Sequence, residues 1–134
     1  MTAQTGARCA YAANILILVP VLVMLFTEHG EGGLRTFEGT ISNVDGLRLL
    51  VGSLWLGILV LSAAGLRRPC VFLPVLALQV IYKATYLAVY VIPRWWADGA
   101  AAVPWGVTVS FAAIVTVWPV VLYANRQHFA RGSV

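Results

Sequence analysis

Four stretches of this chain, Cys9–Thr27, Leu49–Leu66, Pro69–Pro93 and Gly99–Asn125, carry between them a single charged residue, Lys83. Each is long enough for the roughly 20 apolar residues that a helix needs to cross a bilayer. Only 10% of all residues are charged, against about 25% in a soluble domain, which excludes a soluble fold. The expected fold class is all-α: an integral membrane antiparallel four-helix bundle with four transmembrane helices. The helices are expected over about 10–26, 46–64, 69–92 and 103–124, within a single domain covering 1–134.

The first stretch has the look of a signal peptide, because Arg8 precedes an apolar run and small residues follow at Gly30, Gly32 and Gly33. Its run from Ala10 to Phe26 exceeds the usual 7–15-residue apolar core of a signal, so it is read as the first helix. Charge then orients the bundle. The N-terminal tail, the second connection and the C-terminal tail hold Arg8, Arg67, Arg68, Arg126 and Arg131 and no acid. The first and third connections hold Arg35, Arg48 and Arg94 with all five acids, Glu28, Glu31, Glu38, Asp45 and Asp98. Basic residues set topology and acids contribute little, so both termini are expected in the cytoplasm. Trp95, Trp96 and Trp105 then flank the outer ends of helices three and four, where interfacial aromatics belong.

Turn residues suggest where the helices stop. Ser42-Asn43-Val44-Asp45 reads as the start of helix two, with Asp45 as its cap. Gly65 suits a left-handed stop after helix two, and Pro69 suits the first turn of helix three. The short link Gly65–Arg68 makes helices two and three antiparallel neighbours. Pro93 is expected to end helix three and Pro104 to open helix four. Thr36–Ile41, in the long first connection, has some strand propensity and is expected to pack back on the helix ends. Small residues on helix two (Gly52, Ser53, Gly57, Ser62, Ala63, Ala64) allow close helix approach and are expected to face helix three, the alternative being a docking face for another protein.

Lys83 is the strongest pointer to a site. A charge within a span costs at least about 2.5–3.5 kcal/mol on insertion scales, and such residues usually face protein or water and have a partner. It lies about 14 Å from the outer end of its helix and about 21 Å from the inner end at 1.5 Å per residue. Its Cα–Cβ bond tilts toward the farther end, so a buried position is expected rather than snorkelling. Phe72, Leu76, Gln79, Lys83, Tyr86 and Tyr90 recur at helical spacing and form one face. No acid lies within any apolar span. The acids nearest to Lys83 are Glu38 and Asp45, and Arg48 adds positive charge on the outer side. Lys83, Gln79, Tyr86, Tyr90, Arg48, Glu38 and Asp45 are therefore grouped as the expected lining of one outward-facing polar cavity, a ligand or proton site. The competing reading is a buried network that fixes helix register.

Other chemistry finds little support. Cys9 and Cys70 lack metal-ligand spacing, and a reducing cytoplasm argues against a disulfide. His29 and His128 fall at opposite faces and cannot share a haem. No metal, no cofactor and no catalytic residue is expected, although a membrane enzyme would draw on His29, Glu31 and Glu38. The expected partners are the lipid bilayer and a larger membrane complex or a second copy of the chain, not nucleic acid.

The segments NVDGLRLLVGSLWLGI (Asn43–Ile58) and QVIYKATY (Gln79–Tyr86) resemble those of small bacterial four-helix membrane proteins of the DoxX-like kind. Size, four spans and a longer first outer loop extend the likeness in outline over the whole chain. The resemblance implies an antiparallel four-helix bundle in a bacterial inner membrane, with no assigned chemistry. The leading functional expectation is a small multi-pass accessory or structural subunit. The alternative is a small transport or ligand-binding protein that uses the Lys83 cavity for a proton, an anion or a quinone-like head group.

Overall fold

The computed structural model describes residues 3–28 and 32–127. His29, Glu31 and His128 lie outside them. The elements in order are α1 (Ala3–Thr27), α2 (Asp45–Arg67), α3 (Leu73–Tyr86), α4 (Ile92–Asp98) and α5 (Trp105–Ala124). A π-helical turn, Leu87–Val91, joins α3 to α4, making one continuous span from Leu73 to Asp98. Four segments are thus long and apolar enough to cross a membrane. Their outward faces are apolar as well: Leu16, Leu50, Ile81, Val89 and Val120 are each more than three-fifths exposed. A surface of that kind is tolerated by lipid and not by water, and the protein is a small multi-pass membrane protein folded as an all-α four-helix bundle.

Two boundaries depart from expectation because of proline. Pro93 does not end the third helix. Its ring crowds the carbonyl four residues back, that of Val89, and the wider π turn over Leu87–Val91 moves that carbonyl aside. Membrane helices accommodate proline through such local adjustments. The helix stops instead at Gly99, whose φ of 80° is left-handed. Pro69 does not open α3 either. It sits in the turn before it, and Pro74 occupies the first helical turn. Pro104 is the N-cap of α5, close to where it was expected.

Gly65 is not a helix stop. α2 runs through it to Arg67, and the reason for glycine is a close approach. A Cβ there would lie 2.8 Å from the ring of Tyr11. That ring is fully buried, and its hydroxyl donates to the Pro69 carbonyl oxygen at 2.9 Å. The bond ties α1 to the turn between α2 and α3. Overpacking a filled interior costs about 1–3 kcal/mol. Gly65→Ala is expected to destabilise the protein by this amount in a detergent melting experiment, and Tyr11→Leu in the same chain should return part of the loss. Additive losses in the double variant would show that the ring does not set the requirement.

The same helix shows which neighbour its small residues serve. Gly52 faces the ring of Phe26, 3.2 Å from where a Cβ would stand. Asn14 Nδ2 donates to Ser62 Oγ at 3.2 Å between two buried side chains. Gly52, Ser62 and Gly65 therefore pack on α1, not on the third helix as expected, while Ser53, Gly57 and Ala63 face outward. The most extensive helix contacts are α1 with α2 and α3 with α5; α2 and α3 touch over few residues despite their short link.

The described part of the first connection, residues 32–44, forms a strap across one end of the bundle. Its middle is a 3₁₀ turn, Arg35–Phe37, with Thr36 and Phe37 buried. The strand expected over Thr36–Ile41 does not form; an isolated antiparallel bridge between Gly33 and Ser42 flanks the segment instead. The expectation that this segment packs back on the helix ends is met by Leu34 and Phe37, which join the core with Trp55 and Phe111.

Candidate functional site

A cavity of about 200 Å³ lies beneath the strap. Ile17, Val21 and Met24 of α1 form one wall, and Gly106, Val107, Phe111 and Ile114 of α5 face them. Arg35, Thr36 and Glu38 of the strap lie at its top, while Trp55 and Lys83 reach it from α2 and α3. Ile17 and Met24 are more than a third exposed, so the cavity communicates with the bundle surface between α1 and α5.

Lys83 is 3% exposed, so the prediction of burial holds. Its ammonium donates to the Tyr82 hydroxyl at 2.7 Å. It also stands 4.3 Å from the ring centroid of Phe111 and 4.7 Å from that of Tyr82. A desolvated cation gains about 2 kcal/mol or more over an aromatic face. Among the described residues, Lys83 has no carboxylate within ion-pair distance.

Glu38 reaches the same cavity but serves another partner. Its backbone is left-handed (φ 54°), a turn that aims the carboxylate at the start of α5. One oxygen accepts from the Trp105 amide at 3.1 Å and the other from the Gly106 amide at 2.5 Å. These are two of the four amides that a helix N-terminus leaves unpaired, and a carboxylate there also meets the positive end of the helix dipole. A Cβ on Gly106 would stand 2.7 Å from Glu38 Oε1, so glycine makes room for the latch.

The other residues grouped by sequence go elsewhere. Arg48 is buried and caps α1: Nη1 donates to the carbonyl oxygens of Leu25 (2.7 Å) and Glu28 (2.5 Å). Asp45 does not cap α2. Val44 is the N-cap, without a side-chain bond, and Asp45 instead pairs with Arg48 Nη2 at 2.7 Å from an exposed position. The pairing follows from (i, i+3) spacing on the first helical turn. Arg48 lines a different apolar cavity of about 250 Å³ with Leu25, Phe37 and Tyr86. Tyr86 packs against Phe37 and Phe111 and stacks on Tyr90 at 5.1 Å. Tyr90 in turn lies under the Arg94 guanidinium, 5.7 Å away. Gln79 is fully buried one turn from Lys83, and neither amide atom has a hydrogen-bond partner among the described residues.

Of the seven residues, Lys83 and Glu38 thus share the cavity, and Arg48, Asp45, Tyr86, Tyr90 and Gln79 do not line it. Tyr82 and Phe111, the immediate contacts of Lys83, were not singled out by sequence, although Tyr82 lies beside the polar stripe. Among the described residues no three His, Cys, Asp or Glu side chains converge as a metal site. Comparison with protein families, characterised proteins and solved structures finds no match to this chain.

Proposed function

We propose that the protein binds a small lipid-soluble molecule whose polar head meets Lys83. The observation that carries this reading is a buried lysine amine, without a carboxylate partner among the described residues, in the wall of an otherwise largely apolar cavity. A purely structural lysine would be expected to be paired by the fold, since an uncompensated buried charge is costly. The test is native mass spectrometry of the protein extracted gently from its own membrane, wild type beside Lys83→Met. A small molecule of constant mass retained only by wild type is the expected result. Wild type without any such molecule, but with a second polypeptide in both samples, would replace this reading with the accessory one. The support for that second reading is the outward face of α2, where a side chain in place of Gly57 would meet no neighbouring atom within 4 Å among the described residues.

The setting proposed is a bacterial inner membrane with both termini cytoplasmic, in a protein of the DoxX-like kind. The basis is five arginines against three, together with segments 43–58 and 79–86. Cys9 is exposed at the terminal end of α1. An impermeant maleimide is therefore expected to spare Cys9 in intact spheroplasts and to label it in inverted vesicles. The reverse pattern would invert the topology.

A further inference from the structure

The charge balance of the cavity narrows its ligand, on the reading that the cavity is a binding site at all. Two cationic side chains, Lys83 and Arg35, line it, and Glu38 is the one acid among the described lining residues. Both Glu38 oxygens are occupied by the amides that open α5. The Lys83 ammonium has a neutral hydroxyl and two aromatic rings as its neighbours. These favour a cation but bring no formal negative charge. The remaining walls are mostly hydrocarbon, from Ile17, Val21, Met24, Val107 and Ile114, with Thr36 and Ser110 as neutral hydroxyls among them.

We propose that the ligand is a single-chain anionic amphiphile, such as a long-chain carboxylate, which brings the counter-charge to Lys83 and leaves the bundle between α1 and α5. Size supports one chain. A cavity of about 150 Å³ holds a benzene ring, so about 200 Å³ takes a carboxylate and its first methylenes. A two-chain glycerophospholipid is too large for it. The partly exposed Ile17 and Met24 mark where the chain passes to the bilayer. The charged head is what selects the ligand, because a hydrogen bond to an ionic group formed away from water is stronger than one between neutral groups.

The experiment uses the full-length protein in detergent with two photoreactive probes of equal chain length, a diazirine fatty acid and the matching diazirine fatty alcohol. The acid is expected to crosslink peptides containing residues 17–24 and 106–114, and the alcohol to label them at least about tenfold less at equal concentration. Lys83→Met should lose the acid's advantage and Lys83→Arg should keep most of it. Unlabelled palmitate should displace the acid probe. Equal labelling of these peptides by both probes would overturn the anionic head while leaving a binding cavity in place. Displacement by phosphatidylglycerol and not by palmitate would assign the site to a phospholipid and overturn the single-chain proposal. Labelling by neither probe above the level of the lipid-facing peptides would overturn this proposal; the binding-site reading itself would then stand or fall on whether wild type retains a small molecule from its own membrane.

Discussion

Arg48→Ala is expected to lower the stability of the detergent-solubilised protein by about 3–5 kcal/mol. The last carbonyls of a helix have no partner within it. At the end of α1 the carbonyl of Leu25 and that of Glu28, the residue just after the helix, accept from one guanidinium nitrogen. Hydrogen bonds to a charged group contribute about 1.5–3 kcal/mol each, and a cation also suits the negative end of the helix dipole. Asp45 adds little, because its carboxylate is exposed and such ion pairs are worth about 0–1 kcal/mol. Arg48→Lys should recover less than half of the loss, since a point charge cannot span two carbonyls and a carboxylate together. Thermal melting of the three proteins checks the order. Hydrogen exchange at Met24–Glu28 should rise in the alanine variant before the rest of the bundle responds. A variant that melts within about 1 kcal/mol of wild type would mean that the end of α1 is held by something else.

This role shows what the sequence did and did not disclose. The number of spans was legible because hydrocarbon demands long apolar runs, and nothing else in a chain of this size satisfies that demand. The burial of Lys83 was legible for a similar reason: its position is too far from either end to reach water. Partners were less so. Arg48 stands three residues into its helix, and its proximity to Lys83 in a linear picture suggested a shared cavity. Which way it points depends on α1 lying beside α2, a relation that local pattern does not encode. Asp45 was misassigned because a capping signature also fits an (i, i+3) pair with Arg48. Gly65 carried an ambiguous signal, since glycine serves both a helix stop and a close contact, and only the position of Tyr11 separates the two. Pro93 was read as a terminator from a rule for soluble helices. The π turn that absorbs it is a local adjustment available where neighbouring helices hold the chain. The Glu38 latch joins residues 67 and 68 positions apart and has no local signature beyond the Glu38-Gly39 turn.

Lys83→Met is expected to raise the stability of the delipidated protein by about 1–4 kcal/mol, the range seen when buried ionic groups are replaced by apolar ones of similar volume. The wild-type ammonium has compensation from the Tyr82 hydroxyl and the Phe111 ring, but no opposite charge among the described residues. Methionine is unbranched, fills the same path and places a polarizable sulfur against aromatic rings. The order should reverse when ligand is present. A ligand at a thousand times its dissociation constant stabilises the protein that binds it by about 4.1 kcal/mol, more than the variant gains. Saturating palmitate is therefore expected to raise the melting temperature of wild type and to leave Lys83→Met where it was. A structural lysine predicts a different pair of curves: palmitate would move the melt of neither protein. The crossing of the two melts thus separates a charge kept for a ligand from a charge kept for helix register. It does so without any assay of transport.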